Sequence, residues 1–235
     1  MFDSSISPGN TADEAGTLQE RLFEDLKRKI ITCELRPGAD VSEAMVAETF
    51  GLSKAPVRSA LARLREAGWL QSLPRRGHIV TPLTIKDVDE IYNARALIEP
   101  DTARLAAGHV SKSYLQALNG ACVRAYDLDD EEAKREFLLA NAAFHVGIAK
   151  ACGNSRLATM LAQLHEESLR VLYLSVSAVQ RSESWRTGHN SIMETLLHGD
   201  GEAAARETLE GIERSRQSVL AVRDQNRDQF GITAK

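Results

Sequence analysis

No proline follows Pro100 in this 235-residue chain; Pro8, Pro37, Pro56, Pro74, Pro82 and Pro100 are the six it has. Proline breaks helix interiors, so the Ala-, Leu-, Glu- and Arg-rich remainder predicts one helix after another. Cysteine is scarce: Cys33, Cys122 and Cys152 are an odd set that describes no disulfide framework and favours a reducing compartment. No apolar run approaches the roughly 20 residues that span a bilayer. The opening MFDSSISPGNTADEAG lacks the basic and apolar regions of a signal peptide, which predicts a cytoplasmic location. Neither sign of charge dominates, with 29 basic and 33 acidic residues, which excludes a disordered chain and a uniformly basic nucleic-acid coat. Aromatic residues are few, at 5%. The length suffices for one or two domains with a real core.

What charge there is lies unevenly. Residues 54–76 carry Lys54, Arg58, Arg63, Arg65, Arg75 and Arg76 against Glu66 alone, whereas residues 81–235 hold more acidic than basic side chains. Around this basic island the chain reads as three helices and a hairpin. Thr17 is placed to cap a helix with apolar positions Leu18, Leu22, Leu26 and Ile30, ended by Arg36-Pro37-Gly38. Ser42 caps a short second helix through Phe50, broken by Gly51. Ser53 caps a third, buried along Val57, Leu61 and Leu64 and ended by Ala67-Gly68. Residues 69–73 and 78–81 form short strands around a Pro74-Arg75-Arg76-Gly77 turn. That order within about 65 residues is the layout of a winged helix-turn-helix. Lys54, Arg58 and Arg65 fall within about 40° of one another on the third helix. A basic face there, with two arginines at a hairpin tip, points to DNA; a solvated surface helix is the plainer alternative.

Past a short linker, boundary signals at Thr84, Ser111, Asp129, Gly153-Asn154, Ser182 and Gly199-Asp200 predict helices over 84–108, 111–127, 130–151, 154–180, 182–198 and 200–225. The expected fold is thus all-α with a small β-wing: an N-terminal winged helix-turn-helix, then an antiparallel bundle of six or seven helices. The expected divisions are a flexible arm (1–16), the DNA-binding domain (17–81), an effector-binding and dimerisation domain (82–228) and a tail (229–235). Helical spacing sets Asn141 and His145 on one stripe with Phe137, Phe144, Ile148 and Cys152. It sets Arg95 and Glu99 with Val88, Ile91, Tyr92, Ile98 and Thr102, and His189 with Trp185, Ile192, Met193 and Leu196. Inward polar groups need partners. Arg95 and Glu99, at i and i+4, suit each other, and a single histidine on an apolar face is commonly a core residue.

The segment LQERLFEDLKRKIITCELRPGADVSEAMVAETFGLSKAPVRSALARLREAGWLQSLPRRGHIV resembles the DNA-binding domain of the GntR family of bacterial transcription regulators. The pieces ARALIEPDTARLAA, NAAFHVGIAKACGN and HNSIMETLLHGDGEAAARETL resemble the all-helical FCD-type ligand-binding domain of its FadR-like branch. The resemblance implies DNA contacts from Ser53, Lys54 and Arg58, with Ala55 and Pro56 in the first turn of the recognition helix and Arg75, Arg76 and Gly77 as the wing; Arg65 joins them from its place on the basic face. Lys54 and Ala44 stand where many relatives carry arginine, which implies an operator preference of this chain's own. The resemblance also implies a small-molecule pocket, lined here by Arg95, Glu99, Asn141, His145 and His189. The family's divalent metal of the zinc or nickel type is held by one Asp or Asn and three histidines. Asn141, His145 and His189 supply three of these positions; Gly211 occupies the fourth, and His109, His165 and His198 do not align with it. That disfavours a metal.

These readings lead to a transcription regulator, a repressor by preference, binding an inverted-repeat operator as a homodimer and tuned by a small organic anion for which Arg95 is the expected anchor. A metal-dependent all-α enzyme is the rival class. Against it, the sequence shows no HExxH, no phosphate loop and no carboxylates paired for acid–base work. An architectural DNA-binding protein without an effector is a third reading, favoured by a wholly apolar bundle interior.

Overall fold

Leu22, Leu26 and Ile30 recur every four residues, so winding the segment into α1 (Thr11–Ile31) gathers all three on one buried stripe. The computed structural model describes residues 11–74, 77–123, 131–175, 182–225 and 232–233. The helix begins at Thr11, so Thr17 lies within it and not at its expected start, and the expected arm gives up residues 11–16 to the helix. Leu18 faces outward.

The chain divides into two compact units, Met1–Pro82 and Leu83–Lys235. In the first, α1 packs on α3 (Lys54–Glu66), whose Val57, Ala60, Leu61 and Leu64 are buried. Arg63 fastens the pair. Its guanidinium lies 4.2 Å from the centre of the Phe23 ring and donates two hydrogen bonds to the Glu20 carboxylate. Between them in sequence comes α2 (Glu43–Phe50), packed on α3 and capped by the Ser42 hydroxyl, which accepts from the Met45 N–H. Gly51 ends it at φ +64°, in the left-handed region where glycine has no Cβ penalty. Ser53 holds the N-cap position of α3, yet its side chain accepts no hydrogen bond from the helix, contrary to the expected cap.

The hairpin pairs β2 (Leu70–Leu73) with β3 (Gly77–Val80), and β1 (Asp40–Val41) adds a third antiparallel strand beside β3. The sequence reading had no β1. Gly77 opens β3 at φ +92°, and a Cβ there would stand 3.3 Å from the Val41 carbonyl oxygen, so the strand start needs a glycine twice over. Arg75 and Arg76, the expected wing tip, lie outside the described residues.

In the second unit Thr84 caps α4 (Ile85–Ala106) in a reciprocal capping box with Asp87. It is followed by α5 (Lys112–Val123), α6 (Glu131–Ala151), α7 (Ser155–Ser175), α8 (Ser182–His198) and α9 (Gly201–Gln225). Ser111, Asn154 and Asp200 each accept backbone N–H bonds at the starts of α5, α7 and α9. The central helix is α4, which packs against α6, α7 and α9. Two short strands, β4 (Leu83–Thr84) and β5 (Ile232–Thr233), pair in parallel, so part of the expected tail is ordered against the start of the unit.

Candidate functional site

Helix α4 carries Arg95 and Glu99 one turn apart on its buried face. Their side chains are 5% and 2% exposed, and the Arg95 Nε donates to Glu99 Oε2 at 3.0 Å. The i, i+4 pairing allowed by the sequence is therefore real. Arg95 also reaches the Ser168 hydroxyl at 3.4 Å and lies over the Tyr92 ring. Burial raises the cost of both charges, but each offsets the other's. The Arg95 guanidinium is held protonated by Glu99 against that burial. Burial alone would raise the Glu99 carboxyl; the Arg95 guanidinium above all holds it well below its ordinary value.

Three helices thus converge on one carboxylate. His145 of α6 brings Nδ1 to 2.8 Å from Glu99 Oε1, and His165 of α7 brings Nε2 to 3.3 Å from Glu99 Oε2. The two imidazoles stack with centroids 5.3 Å apart. Neither approach is well directed, so Glu99 Oε1 and His165 Nε2 are buried without a hydrogen-bond partner. His165 is neutral: burial, reinforced by Arg95, lowers its pKa to about 4. The sequence reading set His165 aside because it did not align with the family's ligand positions. Helical spacing would have found it, since Ala158, Leu161, His165, Ser168 and Leu172 share one buried stripe of α7.

Beside this cluster lies a cavity of about 50 Å³, roomy enough for a few waters or a small ligand group. Its polar lining is Arg95, Asn141, His145, His189, Arg214 and Ser215; Leu172, Ile192 and Ile212 make its apolar wall. Of the five expected effector residues, four line the cavity, and Glu99 stands behind them, bonded to Arg95 and close to His145. The His189 Nδ1 meets Asn119 Oδ1 at 3.0 Å, and the ring stacks on Phe144 with centroids 4.0 Å apart. A carbonyl oxygen only accepts, so Nδ1 carries the proton and Nε2 keeps its lone pair. Burial depresses the His189 pKa well below its ordinary value, which keeps the ring neutral.

Gly211 does line the cavity, as the family register implied, and so leaves the fourth ligand position without a donor. Asn141 is neutral, and among the described residues no carboxylate lines the cavity, whereas two guanidiniums do. Glu99, His145 and His165 form a second cluster close enough to share an ion. There the carboxylate is already bound to Arg95, and a cation would stand against the guanidinium's charge. Neither set suits a divalent ion.

In the first unit Ser53, Lys54, Ala55, Arg58 and Arg65 are all exposed and Pro56 is half-buried. Arg58 is engaged already: its Nε and Nη2 donate to both oxygens of Glu43 on α2, at 3.1 and 3.2 Å. The pair is open to water, with Arg58 69% exposed. Ala44 is exposed on the same short helix.

A three-helix unit with a strand wing, ahead of an all-helical unit with an internal polar cavity, defines a two-part DNA-binding regulator. The family comparisons agree. Residues 18–80 match the bacterial regulatory proteins of the gntR family and residues 90–214 match the FCD domain, so the chain belongs to the FCD-domain branch of the GntR transcription regulators. It is 26% identical over 213 residues to the HTH-type transcriptional repressor RspR of Escherichia coli K12, covering 91% of this chain and 93% of that one. It is 27% identical over 188 residues to a Paenarthrobacter nicotinovorans protein named "Probable D-xylose utilization operon transcriptional repressor", covering 80% and 82%. Among solved structures, E. coli McbR/YncC superposes with a TM-score of 0.73 at 24% identity, over 88% of this chain and 98% of that one, and shares the fold. No described helix is long and apolar enough to cross a membrane.

Proposed function

We propose that the protein is a cytoplasmic repressor that binds an inverted-repeat operator as a homodimer and changes its operator affinity when a small organic anion enters the cavity of the helical unit. The cavity carries this reading: it is polar, and among the described residues it is lined by two arginines and no carboxylate, with Leu172, Ile192 and Ile212 as its apolar wall. An architectural DNA-binding protein needs no such chamber. Ser53, Lys54, Arg58 and Arg65 form the DNA face of the recognition helix, with Ala55 and Pro56 in its first turn and Arg75, Arg76 and Gly77 as the wing. Lysine and arginine at a helix N-terminus donate to guanine or phosphate, and the exposed Glu43–Arg58 pair yields readily to a phosphate. Two relatives carry repressor names, which favours repression.

Apolar surface remains for a second copy. Leu97, 78% exposed, and Leu105 lie two turns apart on α4, and Leu209 is exposed on α9, the helix packed beside it. A palindromic operator requires two reading heads. Selection of binding sites from random duplexes, followed by mobility shifts and light scattering, tests the reading. The expected result is a two-fold symmetric site and a mass of two chains without DNA. A monomeric mass, or an asymmetric selected site, overturns it.

A further inference from the structure

The cavity holds a cation that the sequence reading did not count. Arg214 of α9 lies at its rim, 46% exposed, with its Nη2 between two glycines. A Cβ built on Gly188 of α8 would stand 3.2 Å from that nitrogen, and one on Gly211 would stand 3.8 Å away. A side chain at 188 would oblige the guanidinium to give by a few tenths of an ångström, a Cβ at 211 would only touch it, and a long side chain at 211 would compete for the same space. Both glycines lie inside helices, where glycine is disfavoured by about 1 kcal/mol relative to alanine. That cost is explained if the two positions keep room for the arginine.

The two arginines of the cavity are not equivalent. Arg95 is fully buried and committed to Glu99 and Ser168. Arg214 has a loose contact with the exposed Glu210, at 3.4 Å, within its own helix. A surface pair of this kind gives way at little cost. Its guanidinium has five donors in a planar fork that matches a carboxylate. Across the cavity, the neutral His189 and Asn141 offer polar groups, and Ser215 is fixed by the Tyr92 hydroxyl at 2.9 Å. Leu172, Ile192 and Ile212 supply an apolar wall for a short carbon skeleton.

We infer that Arg214, seated between Gly188 and Gly211, is the anchor for the carboxylate of a small organic acid, and that this chain binds its ligand through a guanidinium without any metal ion. The inference rests on the reading of the cavity as an effector site and goes beyond it in naming the anchor and the metal independence. It also moves the anchoring role from Arg95, which the sequence favoured, to a residue free to exchange partners.

The test uses the full-length protein, treated with EDTA and dialysed. Calorimetric titrations are made with acetate, lactate, malonate, succinate and citrate, and with neutral sugars, each with and without Zn²⁺. At least one carboxylate should bind equally well with and without Zn²⁺. Its affinity should fall about ten-fold or more in Arg214→Gln, in keeping with the loss of a charged hydrogen-bond partner. Arg214→Lys should lie between, and Gly188→Ala should weaken binding by crowding the seat. Circular dichroism melts confirm that each variant is folded. Undiminished binding in Arg214→Gln overturns the inference. So does carboxylate binding that needs Zn²⁺, though such an acid releasing the operator would leave the effector reading standing; binding of a neutral sugar alone overturns the organic-anion reading as well. Failure of every probe to bind or to change operator affinity overturns both.

Discussion

Replacing Glu99 by glutamine keeps the shape of the side chain and removes its charge, and the consequence follows from the burial of Arg95. In the native protein that guanidinium is 5% exposed and its charge is matched by Glu99 at 3.0 Å. In Glu99→Gln the negative charge is gone: the amide oxygen can still accept from Arg95 Nε, but with the Ser168 hydroxyl at 3.4 Å and the face of Tyr92 it offers dipoles in place of a counter-charge. Breaking a buried ion pair from one side costs about 3–5 kcal/mol, because the remaining charge is neither solvated nor compensated. Urea unfolding followed at 222 nm reads mainly the helices of the second unit. With a slope near 2 kcal/mol per molar, the midpoint should fall by about 1.5–2.5 M. The double variant Arg95→Met/Glu99→Leu removes both charges and fills the space with apolar groups, so it should recover most of the loss. A Glu99→Gln cost below about 1 kcal/mol would refute the argument that the pair is electrostatically closed. A double variant as unstable as the single would place the cost in packing instead.

The His165 pKa near 4 gives a second test. An unfolded histidine protonates near 6.5 while the buried one stays neutral, so the folded state loses stability as pH falls from 6.5 towards 4, by about 3 kcal/mol in all, with nothing further from this group below pH 4. His165→Gln should flatten that part of the pH–stability curve, and equal slopes for the two proteins would refute it. Gly211→His places an imidazole across from His145 and His189, where its Cβ meets only the Arg214 Nη2 at 3.8 Å. Zn²⁺ affinity measured by calorimetry should rise about ten-fold or more, as expected for completion of a four-ligand set. No gain would mean that α9 does not present the position as a ligand. Arg58→Ala should weaken binding to a selected operator roughly ten-fold while leaving non-specific duplex binding less affected, a contrast that mobility shifts at two salt concentrations resolve. Equal losses on both duplexes would make Arg58 a phosphate contact alone.

The parts of this fold that sequence made legible are those governed by nearby residues. Thr84 with Asp87, Ser111, Asn154 and Asp200 bond to backbone within their own first turns, so residue type and spacing suffice to place the helices. The stripes holding Arg95, Glu99, Asn141 and His145 follow from 3.6-residue periodicity in the same way. What the sequence missed depends on distant chain. Strand β1 is two residues long and exists through its partner β3, almost forty positions away. Ser53 had the right identity for a cap, but its hydroxyl makes no bond to the helix it precedes. His165 carried a usable signal in the α7 stripe that comparison with family ligand positions overrode. Arg214 carried none. It sits among the charged positions of α9, and its place in the cavity depends on two glycines, one of them on another helix.

The contact between Glu43 and Arg58 gives the recognition helix an internal counterion. Ordinarily a cationic side chain that docks on a phosphate expels condensed salt cations from the duplex, and affinity falls steeply with ionic strength in proportion to the number of such contacts. Here Arg58 arrives already neutralised by a carboxylate held on the preceding helix. For each head that engages DNA through Arg58, a carboxylate must be turned out beside the polyanion. The repulsion this creates is general, while the guanine contact that would repay it is sequence-specific. If Arg58 is a base contact as proposed, Glu43 would therefore penalise every duplex alike, and only a site that returns the guanine contact would leave a net gain. Neutralising it as Glu43→Gln should tighten binding to random duplex and to the operator by about the same factor, so that the protein occupies more random DNA at a given concentration while its discrimination ratio holds.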